Sequence, residues 1–165
     1  MKKVFKNKFS GGFTLIELLV VIGVLTVLLS IVLVAINPTR QFQQANDTQR
    51  RSDVNAILNA IHQYAADNKG AIPAGIPTTG TAATICKPTA SCNGADPAVD
   101  LCSVLVTMYL ADVPRDPKNG TPATGSVCGA ASYNTKYTVI SSATDNRVTV
   151  AATAEVSGVT ISVTR

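Results

Sequence analysis

Tryptophan is absent from these 165 residues, histidine occurs once, aromatics make up 5% and charged residues 15%. A large aromatic core is thereby excluded, and a small core built mostly from Ala, Val, Ile and Leu is expected. None of the four cysteines, Cys86, Cys92, Cys102 and Cys128, stands in a C-x-x-C pair. Without that spacing, and with the lone His62 far upstream on a helical stretch, the pattern argues against zinc. Catalytic signatures are missing too: no Walker A loop, H-E-x-x-H, G-x-S-x-G or dinucleotide-binding glycine fingerprint occurs. Asp96, Asp100, Asp112, Asp116 and Asp145 form no D-x-D-x-D-G run, so turn and cap roles are expected of them rather than calcium binding. The chain reads as a non-enzyme with no cofactor.

What it does have is one long apolar run. Residues 11–36, GGFTLIELLVVIGVLTVLLSIVLVAI, follow a short basic leader carrying Lys2, Lys3, Lys6 and Lys8, and hold a single charge, Glu17. In a secretory signal peptide the apolar core precedes a small-residue cleavage site and is discarded; here the glycine pair precedes the core, so a cut there leaves the hydrophobic segment attached. From Leu18 to Ile36 no residue is charged, and that stretch spans about 28 Å as a helix, enough for one membrane crossing. The leader lysines lie closest to it and argue for a cytoplasmic N-terminus. Glu17 is costly there, by roughly 2.5 to 3.5 kcal/mol if it lies near mid-bilayer, and needs a partner or a job. The plain alternative is a signal anchor whose glutamate is solvated at the membrane interface.

Gly12 followed by Phe13, Thr14, Leu15, Ile16, Glu17, Leu18 and Leu19 resembles the class III signal of type IV pilins and pseudopilins. The resemblance is close over residues 1–36 and extends less sharply to about Gly70. It implies that a membrane prepilin peptidase cuts between Gly12 and Phe13 and methylates the new Phe13 amine, that Glu17 serves assembly, and that an inner-membrane platform polymerises the chain with itself and with minor pilins. Loss of the leader lysines leaves ten basic side chains against ten acidic ones, so the pI near 9.0 gives no warrant for a nucleic-acid groove. The implied function is a structural subunit of a type IV pilus, with a pseudopilin of a secretion or DNA-uptake system as the alternative. A signal-anchored binding protein or enzyme is the reading from a different class.

The rest divides into an amphipathic helix over residues 37–70 and a globular part over 71–165. Pro38 interrupts the helix at Asn37. Beyond it Phe42, Ala45, Val54, Ile57, Ile61, Tyr64 and Ala65 recur at near-helical spacing up to Gly70, where a C-cap belongs, and the stripe is strongest after Val54. His62 is expected to be a solvated or rim residue rather than a ligand. Residues 71–97 read as an irregular loop, 99–110 as a short buried helix, and 111–122 as a turn-rich link similar to that of major secretion pseudopilins. Strands are expected over 137–142, 147–155 and 159–164, with Val148, Val150, Ala152 and Ala154 on one face and Glu155 on the other. Disulfides are the default for the four cysteines outside the membrane. Three pairings are possible, and spacing favours Cys86 with Cys92 and Cys102 with Cys128. The expected fold is α+β: a long N-terminal helix whose upper half packs on a small antiparallel sheet.

Overall fold

The computed structural model describes residues 11–87, 92 and 97–165; the leader lysines and Asp96 lie outside them. The chain divides into two units, residues 1–39 and 40–165. The first unit contains helix α1, Leu15–Ala35, none of whose residues is buried. Its two hydroxyl residues are satisfied within the helix: Thr26 Oγ1 donates to the carbonyls of Ile22 and Gly23 at 2.8 Å, and Ser30 Oγ to that of Thr26 at 2.7 Å. Neither hydroxyl therefore needs water, which suits a helix surrounded by hydrocarbon. The helix stops at Ile36, where the backbone turns extended ahead of Pro38.

The second unit is built on α2, Pro38–Asp67. Proline is tolerated at its start because the first-turn N–H groups have no helical partner. At the far end Gly70, at φ +89, donates its N–H to the Ala65 carbonyl at 2.7 Å, closing the helix with the left-handed residue such an end favours. Val54, Ile57, Leu58 and Ile61 are buried, whereas Phe42 and Ala45 are exposed, so only the later part of the stripe enters the core.

Five strands among the described residues form one sheet in the order β2-β1-β3-β4-β5: β1 Ala83–Cys86, β2 Ala98–Val99, β3 Asn134–Ser141, β4 Val148–Ala152 and β5 Ile161–Thr164. The last three make an antiparallel meander with Val139 opposite Val150 and Val150 opposite Val163. Tyr137, Val139, Val148, Val150 and Ile161 join the α2 residues in one apolar core. The architecture is α+β and pilin-like.

Two expectations need correction. Residues 71–97 are not wholly irregular: β1 lies inside the sheet, paired antiparallel with β3 and parallel with β2. Its four residues are too few to show a period, and neighbouring Ala and Thr hide it, yet Ala83, Ile85 and Cys86 are buried. Residues 99–110 are helical only over α3, Cys102–Leu105; β2 precedes it and a tight turn joining Val106 to Leu110 follows. There Leu101 and Leu105 supply the buried anchors, and no longer helix is needed to hide the apolar residues. Disulfides join Cys86 to Cys92 and Cys102 to Cys128, tying β1 to its following loop and α3 to the segment before β3.

Candidate functional site

The N-terminal segment carries the first group of candidate residues. Gly12 and Phe13 are exposed ahead of α1, with Phe13 at 77%. Thr14 is the N-cap of the helix and Glu17 its third residue, and the two form a reciprocal capping box. The Glu17 N–H donates to Thr14 Oγ1 at 3.3 Å, while Glu17 Oε2 accepts from the Thr14 N–H and hydroxyl at 3.5 Å. The carboxylate is thus turned back toward Phe13, at the positive end of the helix dipole. Threonine followed three residues later by glutamate, just before an apolar run, is the signature of such a box in a sequence.

A second constellation lies in the globular unit. Arg50, on α2 and 1% exposed, is surrounded by three carboxylates. Its Nε donates to Asp116 Oδ2 at 2.6 Å and its Nη2 to Asp116 Oδ1 at 3.1 Å, a two-pronged grip that the planar guanidinium favours. Nη1 reaches Asp47 at 2.8 Å and Nη2 reaches Glu155 at 2.8 Å, with Lys118 on the outer side of Glu155 at 3.2 Å. Hydrogen bonding to Asp116 holds the Arg50 pKa above its usual range. Burial works against charge on Asp116 and Asp47, but Arg50 and backbone N–H donors outweigh it, and both carboxyls lie below their ordinary range. Glu155 is lowered chiefly by Arg50. Asp53, one turn further along α2, goes the other way: burial raises it despite hydrogen bonds from Tyr137 and Gln49.

This cluster overturns one expectation: Glu155 does not continue the outer face of β4. The strand ends at Ala152, and Asp47 accepts the backbone N–H groups of Glu155 and Val156 at 2.9 and 3.0 Å, drawing the chain off the sheet toward α2. The i, i+3 spacing of Asp47 and Arg50 was visible in the sequence; their partners lie 66 and 105 residues from Arg50 and were not.

Of the aspartates expected in turns, Asp100, Asp112 and Asp116 cap backbone N–H groups in loops. Asp116 accepts from the N–H groups of Lys118 and Asn119, in a turn so tight that a Cβ on Gly120 would meet the Asp116 carbonyl oxygen at 2.7 Å. Asp112 accepts from those of Val127 and Cys128, and Asp100 accepts from the Cys102 N–H and the Tyr133 hydroxyl. His62 is partly buried at the rim, its Nε2 shielded and without a hydrogen-bond partner. Among the described residues no group of three His, Cys, Asp or Glu side chains could hold a metal ion.

Residues 7–33 match the family model described as the prokaryotic N-terminal methylation motif. That match covers less than half of the chain and bears out the resemblance of its N-terminus to the class III prepilin signal. With the α+β unit behind it, the motif supports a pilin-like or pseudopilin-type protein. No significant match is found among curated proteins or among solved structures.

Proposed function

We propose that the chain is a structural subunit of a type IV pilus, cut between Gly12 and Phe13 by a prepilin peptidase, methylated on the Phe13 amine and polymerised through α1. The observation that carries this reading is the methylation motif leading directly into a helix that hides none of its apolar side chains in the subunit. Its 21 residues span about 32 Å. Such a surface demands cover, first from lipid in the cytoplasmic membrane with the N-terminus inside, then from the same helix of neighbouring copies.

Glu17 sets the register of that transfer. Cleavage places a new positive amine on Phe13, one residue before the Thr14 that holds the carboxylate. A neighbour's amine at ~4 Å gains on the order of 4 kcal/mol at an effective dielectric of 20, before desolvation is subtracted, which offsets much of the carboxylate's burial cost. Head-to-tail contacts of this kind do not close, and so they propagate a fibre with the globular units on its surface. The inner-membrane assembly platform and minor pilins are the implied partners. A pseudopilin in a secretion or DNA-uptake machine is the second reading, favoured by the likeness of residues 111–122 to the proline and aspartate stretch of secretion pseudopilins.

Glu17→Ala tests the mechanism. Leader removal and membrane insertion persist in that variant while the filament yield in a shear and electron-microscopy assay collapses. Wild-type yield from Glu17→Ala would sink the register role. Surface filaments separate the pilus from the envelope-confined pseudopilus.

A further inference from the structure

Beyond α1, two large apolar side chains are strongly exposed on the described surface, Phe42 at 71% and Met108 at 78%. Met108 stands at the tip of a turn that is firmly held. Thr107, just before it, sits at φ +77, a conformation a β-branched residue adopts only when its surroundings enforce it. The Thr107 N–H donates to the Leu110 carbonyl at 2.9 Å, and those of Tyr109 and Leu110 both donate to the Leu105 carbonyl at 3.0 Å. Behind the turn, α3 is fastened by the Cys102–Cys128 bridge. Beside it the Tyr109 ring meets Tyr64 edge to face, and its hydroxyl donates to Asp67 at 2.9 Å. A strained backbone thus presents one flexible, polarisable side chain to solvent at the C-terminal end of α2.

At the opposite end of the same unit lies a groove of 380 Å³, lined by Gln44, Asp47, Thr48, Arg51, Val156 and Val159. The Arg50 cluster builds it, because Asp47 pulls Glu155 and Val156 against α2. Its floor is apolar at the two valines, and Arg51 on its wall makes no ion pair among the described residues. From Arg51 to Asp67 the helix rises about 24 Å. A protrusion at one end of a unit and a hole at the other make a heterologous pair, the geometry that repeats without closing.

We propose that Met108 of one copy seats in the groove of the next copy, against Val156 and Val159, bringing the exposed Asp67 carboxylate toward Arg51. The contact rests on the filament reading and adds to the α1 bundle a second, surface-level link between successive globular units. It explains why the turn carries strain: a relaxed loop would let the methionine fold down onto its own surface.

Met108 is the only methionine beyond the leader, so its oxidation is a clean probe. Sheared wild-type filaments and detergent-solubilised subunits are exposed to hydrogen peroxide, and formation of the sulfoxide is followed by peptide mass spectrometry. At least tenfold slower oxidation in filaments is expected; equal rates overturn the contact. The groove is identified with Met108→Cys combined with Val159→Cys. Because the four native cysteines are paired, the double variant forms a ladder of linked subunits on a non-reducing gel, and neither single variant does. Filaments of the double variant without a ladder overturn the pairing; where that variant does not assemble, the oxidation rates decide. A wild type that yields no filaments overturns instead the functional reading on which the contact depends.

Discussion

Replacing Arg50 with methionine keeps a long side chain in place and deletes the charge that three carboxylates share. Asp47 and Asp116, both about 5% exposed at the side chain, are then left buried without their cation. Breaking a buried pair in this way costs about 3 to 5 kcal/mol, a large part of the roughly 5 to 15 kcal/mol that holds a typical domain together. With a urea slope of about 1.5 kcal/mol per molar, the midpoint falls by about 2 to 3 M.

The pH dependence is the sharper test. In the native protein Asp47, Asp116 and Glu155 all lie below their ordinary range. The stability they contribute is therefore full above their unfolded values near pH 4 and is lost as pH falls through the lowered folded values; Asp53, raised by burial, opposes the others. Without Arg50, Asp116 loses the largest counterweight to its burial and Asp47 loses a smaller one behind the Glu155 and Val156 N–H groups, so both carboxyls move upward. The folded variant then binds more protons than the folded wild type, so the stability gap between Arg50→Met and the wild type narrows as pH falls from 7 toward about 4. Near-ultraviolet circular dichroism of the full chain in mild detergent reads this directly, since Tyr133 and Tyr137 are fully buried in the globular unit. A loss below about 1 kcal/mol at pH 7, or a gap to the wild type that does not narrow as pH falls, would refute the reasoning.

Gly12→Val leaves full-length precursor in the membrane, whereas the wild type has the intact mass of a chain beginning at a methylated Phe13; any other mature N-terminus contradicts the processing signal. Thiol labelling of the mature protein under denaturing, non-reducing conditions finds no reactive cysteine, and stoichiometric labelling would contradict both bridges. Reducing those bridges lowers stability by about 2 to 4 kcal/mol each, measured by the same urea titration.

The N-terminal third was legible in the sequence because its signals are local. A glycine pair abutting an apolar run, a lone glutamate inside that run and a proline at its end act through nearest neighbours and through contrast between water and lipid, and need no tertiary contact to be read. The same holds for the meander: the alternation in β4 and β5 is a period-2 signal set by which face meets the core. β1 leaves no such signal, because a four-residue strand gains its place from the strands on either side of it. The Arg50 cluster was beyond reach for a related reason. Asp47 and Arg50 share a helix turn, but Asp116 and Glu155 arrive from loops whose course is fixed only once the sheet has formed. A charged residue in a polar helix then looks like any solvated one, and the fold alone decides that this guanidinium is buried and holds α2 to the loops at Asp116 and Glu155.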